Sequence, residues 1–176
     1  MKPYLSLIDT ETSGNRCDVT PLFADAESFS RMVSDLAEPF RNSGIDFVAG
    51  IDALGFILGA TVALSIGAGF IPVRKGGKLP VKTRSTRFTD YSGEVKSLEI
   101  RQDIPLREMR VLLIDEWIET GTQVRAAISL IENQGGTVAG IATINIDQNE
   151  KTSELRKNYL VHALWREEEK TAGYKL

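Results

Sequence analysis

The sequence contains only one cysteine, Cys17, and only one histidine, His162, among its 176 residues. A single cysteine excludes a disulfide framework, and the two residues together cannot build a zinc site of several thiolates or imidazoles. Any catalysis therefore proceeds without zinc and without a Cys–His pair. We interpret His162 as a packing residue and Cys17 as a small buried hydrophobe.

An excess of positive charge is also lacking. The chain has 21 Lys and Arg against 24 Asp and Glu, which gives a net charge of −3 and a pI of about 5.3. This balance disfavours a protein that binds nucleic acid or an anionic membrane through its overall field. With 42% hydrophobic residues, a chain of this length predicts one domain, spanning residues 1–176.

The one long uncharged run, residues 53–73, is about as long as a membrane-spanning helix, which needs roughly 20 residues. Four glycines interrupt it, at positions 55, 59, 67 and 69. This pattern predicts a buried helix, a turn and a strand, and no membrane segment. Acidic residues occur within the first eleven positions, which is not typical of a secretory signal, so we expect a cytoplasmic protein.

Short apolar runs alternate with helical patterns along most of the chain. Strands are predicted at residues 47–51, 70–73, 110–115, 138–146 and 159–165. Helices are predicted between the first and second strands and between the third and fourth. A further helix, with Asp25 as its cap, is predicted before the first strand. This order predicts an α/β fold, a Rossmann-like parallel sheet flanked by helices, in which ligands bind beyond the carboxyl ends of the strands.

Residues 75–108 are polar and interrupt this alternation. Their middle predicts a flexible two-stranded flap, with strands at 83–91 and 96–101 around Ser92 and Gly93. Six of the chain's 21 cations fall within the 14 residues from Arg74 to Arg87, with no acidic residue among them. A focused positive segment suits a small polyanion better than a long nucleic acid.

The most informative segment, residues 111–123, reads VLLIDEWIETGTQ. It predicts a buried strand that ends in Asp115 and Glu116, followed by a Thr-Gly-Thr turn that opens a helix. Adjacent carboxylates accept pairs of hydrogen bonds from vicinal hydroxyls, while N–H groups and threonine hydroxyls at a helix N-terminus form a cradle for a phosphate. Together these groups fit a sugar phosphate.

This segment resembles the phosphoribosyl diphosphate (PRPP) signature of type I phosphoribosyltransferases. The resemblance is strongest to the adenine phosphoribosyltransferases, because three further segments look like motifs of that family in the same order. They are DVTPL at 18–22, FVAGID followed by Gly55 and Phe56, and RKGGKLP at 74–80. The resemblance covers about residues 18–146 and implies the type I phosphoribosyltransferase fold, with a hood formed by the termini.

The resemblance also implies roles for individual residues. Asp115 and Glu116 would hold the ribose hydroxyls. The residues that would hold the 5′-phosphate are Glu119, Thr120, Gly121, Thr122 and Gln123. Those that would face the diphosphate are Ala53 and Leu54, through backbone N–H groups, and Arg74, Lys75 and Lys78, through their charge. Mg²⁺ would bind mainly to PRPP oxygens and water, with Asp115 as the candidate protein ligand. A homodimer is implied as well.

At the base end of the site, a carboxylate must orient the base and accept or donate a proton at its ring nitrogens. Glu119 and Asp90 are the two candidates for this catalytic role. The family's aromatic-containing Phe-Arg pair is replaced here by Arg16 and Cys17, so the aromatic surface for a purine is either missing or supplied by Trp117 or Tyr91. The candidate base contacts are Arg16, Cys17, Tyr91 and Trp117.

Other departures concern PRPP itself. The family's Ser-Arg pair is replaced by Ala53 and Leu54, which removes a guanidinium near the diphosphate. The last phosphate-loop position, usually Thr or Ser, is Gln123. These changes leave three functions to compare.

The first function is transfer of a phosphoribosyl group to a purine-like base, with adenine as the first choice and another base as its variant. The second is a non-catalytic PRPP sensor that acts through a protein partner. The third, a flap that binds RNA, is weaker because few aromatic residues are available for stacking.

Overall fold

The computed structural model describes residues 2–13, 17–90 and 93–165. Seven strands alternate with five α-helices, and short 3₁₀ helices lie at Pro3–Leu7 and Glu38–Phe40. The strands are β1 Phe47–Ile51, β2 Gly69–Lys75, β3 Thr83–Thr89, β4 Val95–Arg101, β5 Arg110–Ile118, β6 Thr137–Ile146 and β7 Val161–Ala163. The helices are α1 Thr20–Ala24, α2 Ala26–Ala37, α3 Leu54–Ile66, α4 Thr122–Glu132 and α5 Glu150–Asn158.

The strands form one sheet in the order β3-β4-β2-β1-β5-β6-β7. The five strands from β2 to β7 in this order are parallel to their neighbours, whereas β4 pairs antiparallel with both β2 and β3. The predicted Rossmann-like α/β fold is therefore confirmed. The predicted flap is the β3–β4 hairpin, and it extends the central sheet through the pairs Arg74 with Glu99 and Lys75 with Leu98.

Both faces of the sheet are covered, which explains why its central strands are apolar on both sides. Along β5, Val111 and Leu113 belong to the core beneath α4. Leu112 and Ile114 belong to the opposite core, which also contains residues of α2, α3 and the N-terminal segment. The N-terminal part of the predicted hood thus packs on the α2–α3 side, while residues 166–176 lie outside the described residues.

The predicted helix limits near Asp25 and Gly67 are confirmed. The Asp25 carboxylate accepts a hydrogen bond of 2.8 Å from the Ser28 N–H at the start of α2. Gly67 ends α3 with φ of +73°, a left-handed conformation that glycine adopts readily. In the parts of the chain that the structure describes, no helix is both long and apolar enough to cross a bilayer.

Two features differ from the sequence predictions. The strand expected to end at Asp115 continues to Ile118, because Trp117 and Ile118 still pair with Asn145 and Ile146 of β6. Helix α5 was not predicted, since its nine residues are mostly polar. It begins with a capping box in which Asn149 accepts from the Thr152 N–H and the Thr152 hydroxyl accepts from the Asn149 N–H.

Candidate active site

A cleft of about 430 Å³ opens at the carboxyl ends of β1 and β5, where the fold predicts a ligand. The N-terminal segment borders it on one side, and the flap borders it on another. The lining residues are Cys17, Asp18, Val19, Asp52, Ala53, Leu54, Lys75, Phe88, Asp90, Lys96, and all ten residues from Asp115 to Val124.

Most residues singled out in the sequence meet in this cleft. All those predicted between Asp115 and Gln123 line it, together with Ala53, Leu54, Lys75, Asp90 and Cys17. Arg74 and Lys78 are not among the lining residues. Arg16 and Tyr91 lie outside the described residues.

Asp115 is the most buried carboxyl group of the cleft, with only 5% of its surface exposed. Its Oδ1 accepts a hydrogen bond of 3.0 Å from the Glu116 N–H. Burial, followed by the neighbouring charge of Glu116, raises the pKa of Asp115 well above its usual value. A ligand that brings hydroxyl donors or a cation would therefore relieve an unfavourable charge at this point.

The loop after β5 forms a cradle of donors. Gly121 precedes α4 with φ of +72°, and a Cβ at this position would lie 2.6 Å from Leu155 of α5, so only glycine fits. The first helical hydrogen bond runs from Arg125 to Gly121, which leaves the three intervening N–H groups without a helical acceptor. The hydroxyls of Thr120 and Thr122 lie 3.0 Å apart beside them. This geometry suits a phosphate.

Polar residues at the end of β6 and just after it form hydrogen bonds with the residues that precede this loop and with the loop itself. The Trp117 indole N–H donates to Asp147 at 3.1 Å, and the Asn145 amide donates to the same oxygen at 2.8 Å. The Trp165 ring meets Trp117 edge-on at 5.8 Å. The side-chain amide of Asn149 donates to the Glu119 carbonyl at 2.7 Å. Asp147 and Asn149 were missed in the sequence, although two polar residues just beyond a buried strand are a usable signal.

The flap contributes an ion pair to the cleft. Lys96 of β4 contacts the Asp90 carboxylate directly, and this hydrogen bond raises the pKa of Lys96. The other oxygen of Asp90 accepts a hydrogen bond of 3.1 Å from the Glu94 N–H and so links the ends of the two flap strands. Lys96 was not among the predicted residues, because its position depends on the pairing of β3 with β4.

The chain matches the phosphoribosyl transferase domain family along residues 24–173. It belongs to this family. The adenine phosphoribosyltransferase of Corynebacterium jeikeium is 45% identical over 131 residues, which cover 72% of this chain and 62% of that relative's length. The adenine phosphoribosyltransferase of Clostridium perfringens is 41% identical over 148 residues, which cover 84% of this chain and 85% of the relative.

The fold agrees with the same family. The crystal structure of adenine phosphoribosyltransferase from Thermoanaerobacter pseudethanolicus has a TM-score of 0.84 to this chain at 30% identity, covering 92% of this chain and 96% of the other. The family expected from the four motifs is thereby confirmed, and the protein is a phosphoribosyltransferase.

The cleft of this phosphoribosyltransferase is lined by more acidic than basic side chains. Among the described lining residues, six carry carboxylates and two, Lys75 and Lys96, carry ammonium groups. Of the six cations in residues 74–87, only Lys75 lines the cleft. No three His, Cys, Asp or Glu side chains in the described ranges are placed to hold a metal ion by themselves. Carboxylate oxygens beside a phosphate cradle nevertheless fit a hard cation that shares its coordination with a bound ligand.

Proposed function

We propose that this phosphoribosyltransferase transfers the phosphoribosyl group of PRPP to adenine and releases diphosphate, a reaction of purine salvage. The observation that carries the proposal is the placement of the Asp115–Glu116 pair beside the cradle of Thr120 and Thr122 in one cleft. The names of the relatives favour adenine as the base. In this proposal residues 1–176 act as one catalytic domain, with residues 75–108 as its flap.

The carboxylates hold the ribose and the cradle holds the 5′-phosphate. Asp115 and Glu116 accept hydrogen bonds from the two vicinal hydroxyls, which relieve the cost of burying the Asp115 carboxyl beside Glu116. The N–H groups at the start of α4 and the hydroxyls of Thr120 and Thr122 bind the phosphate, with Glu119 and Gln123 completing the loop. Holding both ends of the sugar orients C1 toward the base.

The diphosphate leaves from the side of the β1–α3 turn. The backbone N–H groups of Ala53 and Leu54 face it, and Lys75 supplies positive charge from the end of β2. Mg²⁺ fits a site shared between PRPP oxygens, water and Asp115, and it supplies charge neutralisation that the six carboxylates of the cleft cannot. Arg74 and Lys78 remain predicted PRPP contacts, which a second subunit could bring to the cleft.

The base lies between Trp117 and the flap. Trp117 offers an aromatic surface, and its indole is fixed by Asp147 and Trp165. Glu119 and Asp90 both line the cleft, and either carboxylate can accept a proton or hydrogen bond from a purine as the new bond forms. Cys17 lies at the same opening, while Arg16 and Tyr91 stay predictions as base contacts.

A second copy of the chain fits the outer face of α3. This helix carries no charged residue, and its Ile57 and Leu64 side chains are 44% and 82% exposed. Apolar faces of this kind are typical of subunit contacts. Sedimentation should therefore give about twice the 19.4 kDa of one chain. Leu64→Glu should shift it to one chain, whereas Leu160→Glu, at an exposed leucine elsewhere, should not.

Cytoplasmic location is part of the proposal, since PRPP chemistry requires no secreted environment and the single cysteine suits a reducing one. The proposal involves neither nucleic acid nor membrane partners. A non-catalytic PRPP sensor is the second candidate, because Ala53 and Leu54 replace a Ser-Arg pair expected beside the diphosphate.

A panel of bases separates these two functions. Diphosphate release from PRPP with Mg²⁺ is measured with adenine, hypoxanthine, guanine, xanthine and uracil, and the nucleotide product is identified by chromatography. Turnover with adenine above all others supports the proposed reaction. Turnover with another base corrects only the base. Tight PRPP binding without turnover on any base overturns the enzyme in favour of the sensor.

A further inference from the structure

The loop that carries Arg74, Lys75 and Lys78 folds around a buried carboxylate. We define residues 74–79 as the basic loop. Glu99 of β4 is only 5% exposed, and its Oε1 accepts the N–H groups of Lys78 at 2.7 Å and Leu79 at 2.8 Å. Its Oε2 lies 3.5 Å from the Thr83 hydroxyl. Glu99 therefore holds the backbone at the far end of the basic loop.

The environment of Glu99 keeps this carboxylate ionised. Burial alone favours the neutral form, but the N–H groups of Leu79, Gly77 and Lys78 outweigh it and hold the pKa of Glu99 below its usual value. Several N–H groups converging on one anion form a nest of the kind that proteins use for phosphates. Here the protein's own carboxylate occupies the nest, so the shape of the loop depends on that charge.

Strand β4 also fixes the near end of the basic loop. Lys75 pairs with Leu98 in the antiparallel ladder, and the Gly76 N–H donates to the Ser97 carbonyl at 2.9 Å. A Cβ at Gly76 would lie 2.1 Å from the Ser97 hydroxyl oxygen and 3.3 Å from the Ser97 Cβ, so the loop and β4 approach each other closely here. Lys75, which belongs to this near anchor, is also a lining residue of the cleft.

We propose that Glu99 is a positioning residue for PRPP, which holds the basic loop so that Lys75 faces the cleft. This inference rests on the proposed function, because it assigns PRPP to the cleft. Glu99 itself touches no substrate. Its removal should weaken the binding of PRPP and leave the binding of adenine, whose proposed contacts are Trp117 and the turn of the flap at Asp90, nearly unchanged, because Glu99 pairs with Arg74 at the other end of the hairpin.

Glu99→Gln tests this with a nearly isosteric side chain that lacks the charge. The KM for PRPP should rise about tenfold, the scale expected when a charged group with several buried hydrogen bonds is replaced. The KM for adenine should stay within about twofold. Amide hydrogen exchange at Lys78 and Leu79 should accelerate, while exchange in α4 stays as in the wild type.

A double-mutant cycle asks whether Glu99 acts through Lys75. Lys75→Ala should raise the KM for PRPP by itself, and adding Glu99→Gln to it should cause little further change. Asp103→Asn is the matched control, because this exposed carboxylate follows the same strand and pairs with Arg101. The control should behave as the wild type in every measurement.

Three results would overturn the positioning role. The first is an unchanged KM for PRPP in Glu99→Gln. The second is an equal increase in the KM for PRPP and for adenine in this variant, together with a lowered Tm. The third is additivity of the Glu99→Gln and Lys75→Ala effects on the KM for PRPP. If wild-type protein shows no turnover with any base, the proposed function fails instead. Calorimetric titration of PRPP into the wild type and Glu99→Gln then still tests the inference, since a tenfold loss of affinity supports it and equal affinity refutes it.

Discussion

Glu99 and Asp115 are buried to the same extent but have opposite electrostatic surroundings. Each is 5% exposed, the first on β4 and the second on β5. Backbone N–H groups surround Glu99 and lower its pKa, whereas burial and the charge of Glu116 raise the pKa of Asp115. Two carboxyl groups with the same exposed fraction therefore have opposite pKa shifts. The depth of burial, the neighbouring charges and the hydrogen-bond donors together decide the direction.

The difference separates two uses of a buried carboxylate. Glu99 has its donors within the chain and stabilises a loop in the absence of any ligand. Asp115 accepts one backbone N–H and lies against the like-charged Glu116, so a ligand that brings hydroxyl donors or a cation would relieve the cost of its burial. Groups that cost stability in this way are common at binding sites, where the ligand supplies the missing interactions.

The largest effect should come from removing the charge of Asp115. Asp115→Asn should lower kcat/KM for PRPP by about 10- to 150-fold, which corresponds to hydrogen bonds with a charged acceptor worth roughly 1.5–3 kcal/mol. The same substitution should raise Tm at pH 7, because the cost of burying this carboxyl group beside Glu116 is gone. Steady-state kinetics and calorimetry measure the two quantities. A lowered Tm would contradict the assignment of Asp115 as a group that costs stability.

A smaller effect should test whether the base stacks on Trp117. Trp117→Leu keeps an apolar contact with Trp165 but removes the stacking surface, so the KM for adenine should rise about fivefold, at the low end of aromatic stacking energies. The KM for PRPP should stay within about twofold. Asp147→Asn, which keeps an oxygen to accept the indole N–H, is the control. A larger change for PRPP than for adenine would place the base elsewhere.

The smallest effect should be a pair of opposite pH dependences of stability. Because the pKa of Asp115 is raised on folding, the contribution of Asp115 to the free energy of unfolding falls as pH rises from about 3.8 through the raised value. Because the pKa of Glu99 is lowered, its contribution is present above about 4.5 and is lost as pH falls through the lowered value.

Melting curves between pH 3 and 8 measure both dependences. The Tm of Asp115→Asn should exceed that of the wild type most at neutral pH. The Tm of Glu99→Gln should fall below that of the wild type most at neutral pH and least in acid. For a chain of this size each kcal/mol shifts Tm by about 2–4 °C. Parallel curves for both variants would show that the two carboxyl groups are not electrostatically different.

The meeting of the residues from Asp115 to Gln123 in the cleft could be predicted because they occupy one continuous segment. Asp115, Glu116 and Thr120 follow a buried strand and precede a helix, so local pattern alone brings them to one sheet edge. The extension of β5 to Ile118 escaped prediction because it depends on pairing with β6.

Residues placed by distant contacts could not be found in the same way. Asp147 meets Trp117 across 30 positions, and Glu99 meets Lys78 across 21. Both contacts require the strand order of the folded sheet, which no local pattern contains. The positive segment at 74–87 was interpreted by charge alone, whereas in the structure only Lys75 of its six cations lines the cleft.

Titration of PRPP with Mg²⁺ into the wild type and Asp115→Asn at pH 7 tests the central claim most directly. If PRPP relieves the cost of burying Asp115 beside Glu116, the wild type should bind at least about tenfold more tightly than the variant, although the variant melts at a higher temperature. Equal affinity of the two proteins for PRPP would contradict the account.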